Sequence, residues 1–512
     1  PITTDGQKNS IINGITDWVY EEEFAFVKAF DWSADSKKVA YIRFDESQVP
    51  EFSMSMFGKE LYPMMQTFKY PKAGEKNALV SLHIYDVNSN AVKNVNLGNY
   101  NDFYIARMKW TNDANTLSAQ VLNRHQNNLD LLFIDGNSGT AKVVLNEKDK
   151  AYVDVTDNLT FLKDNSFIWT SEKDGFNHVY LYDKNGKLKN QLTKGKWEVT
   201  NYYGLDEKTN TVFYQSVENG SINRDVYRIG LDGKNKVRLS QNTGTNAATF
   251  SPNFQYYINT FSSASQPTTY TLNEAKAGKQ VQVIENNESL AAKLKSYNLP
   301  AKEFFVLKTA KGNELNAWMI KPKDFDPAKK YPVFMYQYSG PGSQQVNNEW
   351  NSTDDYWFMM LSQQGYIVAC VDGRGTGFKG ADFKKVTQLQ LGKYEVEDQI
   401  DAAKVIGNYA FVDKSRIGIF GWSYGGFMAS NCIMKGNDVF KMAIAVAPVT
   451  NWRFYDSVYT ERYMTTPQEN AGGYDDNSPI NHVDKLKGKF LLIHGSGDDN
   501  VHVQNSMQMM EA

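Results

Sequence analysis

Cysteine is almost absent: Cys370 and Cys432 are the only two in 512 residues, and both fall in the C-terminal half. One closes an apolar strand-like run and the other lies on a helix-like stretch, so they read as small buried apolar residues rather than a disulfide framework. Histidine is scarce as well, with six, and no Cys/His set has metal-ligand spacing. No phosphate-cradling loop is present, since DGRGTG at 372–377 lacks the lysine and reads as a loop at a strand's end. No cofactor and no metal are expected. No uncharged apolar run reaches about 18 residues, and the opening PITTDGQKNS lacks the basic and apolar regions of a signal peptide. Long blocks of like charge are also missing. The 55 basic and 58 acidic residues, formal charge -3, are interspersed, which argues against a nucleic-acid or membrane-surface partner.

What the chain does hold is apolar bulk. With 41% hydrophobic and 13% aromatic residues over this length, it is too long for one ordinary core and can fill at least two. It opens without methionine and closes at Met509, Met510, Glu511, Ala512 inside a helix-like pattern, so a piece of a longer polypeptide is expected.

The N-terminal half repeats. An aromatic or apolar residue followed by an acidic or amide turn recurs in DWSAD, KWTND, FLKD, YGLDE and FSPN. A second marker follows each and ends at Asp86, Asp135, Asp183, Gly230 and Asn273, at intervals of 49, 48, 47 and 43 residues. Blades of four antiparallel strands repeat every 40 to 50 residues or so, and turns such as KNGK and LDGK suit hairpins. The reading is an all-β propeller over 1–290, partial, with about five blades, the first lacking its earlier strands and others preceding Pro1. A β-sandwich with coincidental spacing is the alternative. NNESLAAKLKSYNLP, 286–300, breaks the repeat.

Beyond it, apolar strands alternate with helices: YPVFMYQY, a helix around Trp357, YIVACVD, a helix through EVEDQIDAAKVI, RIGIF, a helix after Ser423, MAIAVAP and FLLIHG. That pattern predicts a mainly parallel, doubly wound sheet. An α/β-hydrolase domain over 291–512, lacking its C-terminal end, fits. IGIFGWSYGGFMAS, 417–430, supplies the nucleophile elbow, in which Gly421 and Gly425 flank Ser423 on a strand-to-helix turn. A serine hydroxyl attacks only when a base takes its proton and donors receive the oxyanion. The acid follows the nucleophile in this fold, and GSGDDN offers Asp498 or Asp499 at a strand's end; Asp498 is taken as the acid, and Asp499 as a helix N-cap or loop contact. Of the histidines, only His502 follows the acid, at a helix start where the topology does not want the base, and His494 reads as structural. The base is expected beyond Ala512.

GWSYGG, APVTNWRFYDSVYTERYM, YSGPGSQ, DGRGTG, GSGDDNVH and DWVYEEE, in their order along nearly the whole chain, closely resemble the dipeptidyl peptidase IV group of the prolyl oligopeptidase family in its bacterial form. The resemblance implies Ser423 as nucleophile, Asp498 as acid, and an oxyanion hole from the Tyr338 hydroxyl and the backbone N–H of Tyr424. It implies that Glu22 and Glu23 bind a substrate's free α-ammonium, although three successive acids otherwise read as a solvated helix. It lines the pocket before the cut with Val449, Trp452, Tyr455, Tyr459 and Val501, and gives Asn500 the carbonyl of the N-terminal residue, the usual arginine partner belonging to an earlier blade. The implied activity is release of N-terminal X-Pro, less well X-Ala, dipeptides from peptides with a free amino terminus by a homodimer that is periplasmic, cell-surface or secreted. Rival readings are a tripeptidyl or acylaminoacyl peptidase of the same family, or a non-catalytic propeller–hydrolase binding protein.

Overall fold

Five consecutive antiparallel sheets occupy the first 285 residues of the computed structural model, which describes residues 1–350 and 352–512. The recurring markers have a physical basis, because all but the two that end at Gly230 and Asn273 carry an Asp or Asn whose side chain accepts N–H groups of a hairpin turn. At the first hairpin of successive blades, Asp35 accepts from Lys37, Asp113 from Asn115, Asp164 from Ser166, Asp206 from Lys208 and Asn253 from Gln255. At the last hairpin, Asp86 accepts from Asn88 and Ser89, Asp135 from Asn137 and Ser138, and Asp183 from Asn185 and Lys187.

The first blade corrects the sequence reading. Its early strands are present as Phe30–Trp32 and Lys38–Asp45, followed by Leu79–Asp86 and Ala91–Asn94, with Ile11–Asn13 added on the open side of Lys38–Asp45. Between Asp45 and Leu79 the chain throws out a separate two-stranded arm, Glu51–Met56 paired with Met64–Lys69. The tip of this arm exposes Phe57, Leu61, Tyr62, Met64 and Met65.

After the last blade strand, Gln280–Glu285, the helix Glu288–Ser296 leads to a seven-stranded sheet that starts at Lys302. Its order is Lys302–Lys308, Glu314–Ile320, Ile367–Asp372, Tyr331–Tyr336, Val412–Trp422, Met442–Val446, Lys489–Ile493. The first two strands pair antiparallel and the last five run parallel. Alternate side chains serve two cores. Val333 and Met335 join Ile417, Ile419 and the helix Tyr424–Lys435, whereas Phe334, Val368 and Cys370 pack on Phe358 and Met359 of the helix Ser352–Gln363. A sheet buried on both faces needs the near-continuous apolar strands seen here.

Ion pairs join the two halves. Arg124, from a blade, grips the fully buried Glu461 of the helix Ser457–Met464 through Nε at 2.6 Å and Nη2 at 2.7 Å, and Asp102 through Nη1 at 2.8 Å. Removing one partner of such a pair strands the other charge. Arg124→Ala is expected to destabilise the folded chain by about 3–5 kcal/mol, read as a shift in the denaturant midpoint.

Candidate active site

Ser423 stands where the strand Val412–Trp422 breaks into the helix Tyr424–Lys435. Its backbone is held at φ 57° and ψ -116°, a conformation that side-chain-bearing residues avoid and that elbows impose. The glycines are required by space. A Cβ on Gly421 would lie 2.2 Å from the Gly425 carbonyl oxygen, and one on Gly425 would lie 2.6 Å from the Gln337 carbonyl oxygen. The Ser423 N–H donates to Val446 O at 2.8 Å, tying the elbow to the neighbouring strand, and the serine itself is half-buried.

Tyr338 follows the strand Tyr331–Tyr336 and reaches the Ser423 hydroxyl. Burial pushes its phenol up, with the charges of Tyr463 and Glu23 adding to the effect and the serine hydroxyl opposing it. A phenol kept neutral next to Ser423 is a donor that can meet negative charge appearing there. Tyr424 is the first residue of the helix, so its N–H has no intrahelical acceptor. Its side chain runs into the core and donates to Glu395 Oε1 at 2.7 Å.

The loop that carries Asp498 and Asp499 lies beyond the edge strand Lys489–Ile493. Asp498 Oδ1 accepts the N–H groups of Asn500 at 3.1 Å and Val501 at 2.9 Å, and Oδ2 is 3.6 Å from His494 Nε2, too far for a hydrogen bond. His494 is occupied by the Ser506 hydroxyl and Val501 O, both at 2.6 Å. Asp499 is a loop contact, accepting the Trp18 indole N–H at 3.4 Å; the helix N-cap is Val503. His502 precedes that helix and is buried, its ring stacked 3.4 Å from Phe52 of the arm. Burial, with Lys72 next to it, pushes its imidazole down to about 3. The other four histidines bond to Ser81 and Asn94, Glu469, Thr193 and Gly195, and Asp476. All six are therefore engaged away from Ser423.

Trp18–Glu23 is a single short helix capped by Asp17, and Glu22 and Glu23 close its last turn with no basic residue there. Acids at a helix C-terminus oppose the helix dipole, so the placement is poor for the helix and serves something else. Glu22 Oε1 accepts the Asn500 amide at 2.7 Å, which joins the blade-borne acids to the loop carrying Asp498. The second hydrogen of that amide is left to donate. Burial pushes Glu23 up to about 7; Arg462 beside it acts downward and Glu22 upward. Asp456, fully buried at the start of the helix Ser457–Met464, contacts Glu23 and is itself pushed well above the usual carboxylate range by burial and by Glu23's charge. The two carboxyls together disfavour double ionisation and so invite a cation.

The aromatic residues form one continuous wall. Tyr338 and Tyr424 have ring centroids 6.0 Å apart, Tyr424 and Trp452 5.5 Å, Trp452 and Tyr459 5.9 Å and near-parallel, and Tyr455 and Tyr459 5.4 Å and edge-on. Val449 and Val501 are buried in the same core. Flat, apolar sides beside a nucleophile suit a compact ring. Three residues escaped the sequence reading: Asp456, Arg462 and Glu395. Asp456 accepts the Tyr459 N–H at 2.8 Å as a helix cap, the bland role its sequence context suggests, and Arg462 and Glu395 sit on amphipathic helices where charge is ordinary. Among the described residues, no group of three His, Cys, Asp or Glu side chains could hold a metal ion, and no helix is long and apolar enough to cross a membrane.

Residues 1–268 match the family model "Dipeptidyl peptidase IV (DPP IV) N-terminal region", and residues 351–512 match "Prolyl oligopeptidase family". The crystal structure of Porphyromonas gingivalis dipeptidyl peptidase 4 superposes with a TM-score of 0.97 at 49% identity, covering all of this chain and 72% of that one. Two curated relatives, each named "Probable dipeptidyl-aminopeptidase B", align with the whole chain: that of Phaeosphaeria nodorum at 36% identity over 59% of its own length, and that of Trichophyton verrucosum at 37% over 60%. The chain thus spans about three-fifths of the length of the curated relatives it matches.

Proposed function

Because the chain belongs to the prolyl oligopeptidase family, in its dipeptidyl peptidase IV branch, we propose that the protein of which it is part is a serine exopeptidase. It removes N-terminal X-Pro and, less readily, X-Ala dipeptides through an acyl-enzyme. One observation carries the reading: the Glu22–Asn500 bond sets the blade-borne acids against the loop of Asp498. Glu22 and Glu23 take the α-ammonium, and the free hydrogen of the Asn500 amide takes the first carbonyl. Two extended residues reach about 7 Å, so a fixed ammonium anchor sets the length of the product. The aromatic wall takes the pyrrolidine ring, and proline has no N–H for burial to strand.

Ser423 attacks the second carbonyl, and the oxyanion is met by the Tyr338 hydroxyl and the Tyr424 N–H. The base in this proposal is a histidine encoded beyond residue 512 and oriented by Asp498. In support, Lys489–Ile493 is the outermost strand of the sheet, with Leu491 and Ile493 exposed. An apolar edge of this kind is normally covered. The exposed tip of the arm, with Leu61 at 89% and Tyr62 at 79%, is a surface that a homodimer would bury.

The test is product analysis on the full-length protein. A peptide beginning X-Pro should release the dipeptide, and its N-acetylated form should resist cleavage. Release of a tripeptide, or equal cleavage of the acetylated peptide, would overturn the reading.

A further inference from the structure

Beneath the elbow lies a carboxyl group that the proposed reaction does not use. Glu395 is the second residue of the helix Tyr394–Gly407 and is fully buried. Its Oε1 accepts the Tyr424 hydroxyl at 2.7 Å, and its Oε2 accepts the Gly392 N–H at 3.1 Å. A carboxyl group without solvent is expensive unless both oxygens are engaged, and a phenylalanine at 424 with an apolar residue at 395 would fill the space more cheaply. The bond is therefore retained for something other than packing.

The position of Tyr424 supplies a reason. It directly follows Ser423, and its backbone N–H opens toward the nucleophile's end of the helix while its ring is wedged among Tyr338, Phe427 and Trp452. These ring contacts fix the plane of the side chain, but rings slide over one another; the hydroxyl bond at the far end stops that motion. An anchor 2.7 Å long at one end of a stiff residue fixes the direction of the N–H at the other.

We propose that Glu395 is a positioning residue of the oxyanion hole, holding Tyr424 so that its N–H meets the developing negative charge. This rests on the function proposed above. Burial pushes Glu395 up to about 7, with the Asp398 charge adding and the Tyr424 and Gly392 hydrogen bonds opposing. The neutral acid is thus accessible, and it keeps negative charge away from the hole. Glutamine can imitate that neutral form, its carbonyl accepting from Gly392 and its amide donating to the Tyr424 oxygen.

The test compares Glu395→Leu, Glu395→Gln and Ser423→Ala in the full-length protein on an X-Pro amide. Glu395→Leu should lower kcat about 30-fold with KM changed less than about threefold, because a misdirected donor is lost from the transition state and not from the ground state. Glu395→Gln should restore most of kcat. Should the leucine variant not accumulate as folded protein, Tyr424→Phe cuts the same bond from the other end and should show the same loss in kcat. Wild-type kcat in either variant, or glutamine as impaired as leucine, overturns the inference. Ser423→Ala separates the two levels. If it is inactive while the Glu395 variants match wild type, only the positioning role falls; if it still turns over, the proposed reaction falls.

Discussion

Ser423→Ala in the full-length protein is expected to cut X-Pro amide hydrolysis by about 10⁴-fold or more while leaving the melting temperature unchanged. The fold should not notice the change, since alanine meets the same backbone strain at φ 57° that serine does and the N–H bond to Val446 is kept. Chemistry has no substitute at hand. Cys370 and Cys432 are fully buried and burial pushes both thiols up, so neither offers a thiolate. The Tyr424 hydroxyl is tied to Glu395, and the Tyr338 phenol stays protonated. Steady-state rates on the purified variant, beside a thermal melt, give the result; a variant that keeps wild-type turnover would remove Ser423 from the mechanism.

The second large effect concerns Glu22 and Glu23. Replacing both by glutamine should lower kcat/KM on free X-Pro peptides by about 10²–10⁴-fold, from two charge-assisted bonds worth about 1.5–3 kcal/mol each. Small esters without an ammonium should be hydrolysed at close to the wild-type rate. The pair also predicts a pH signature. Burial holds the Glu23 carboxyl above its ordinary value, so on the acid side of that raised range the free site holds the neutral acid, and binding an ammonium must expel a proton. Added to the limb that the histidine base gives every substrate, kcat/KM on free peptides should therefore rise more steeply with pH than kcat/KM on esters, and Glu23→Gln should remove the difference. A double variant that hurts esters as much as peptides would mean damage to the elbow and no ammonium site.

The repeats were readable because hairpin turns reuse one device, an Asp or Asn accepting turn N–H groups at a constant place in each blade. The first blade was misread for the matching reason: its opening strand, Phe30–Trp32, is only three residues long, and the arm inserted between Asp45 and Leu79 interrupts the period. The elbow was legible because sterics leave glycine alone at 421 and 425. The proposed ammonium site was not legible from local pattern. Glu22 and Asn500 are 478 residues apart, and their contact exists only once the blades and the sheet are docked. Asp456, Arg462 and Glu395 were hidden because each fills an ordinary local role, as cap or helix residue, while its chemistry comes from a distant element. His502 was expected at a helix start and lies there, just before Gln504–Glu511; that the fold also buries it against Phe52 of the arm is announced by no sequence period.

In the proposed reaction Ser423 is the nucleophile of a site that reads a free amino terminus. A dipeptide phosphonate ending in a proline analogue reports on both halves at once, through the residue it modifies and the rate at which it does so. The full-length protein should carry the adduct on Ser423, and N-acetylating the same phosphonate should slow labelling at least about 100-fold. An adduct on another residue, or equal labelling by the acetylated reagent, would contradict it.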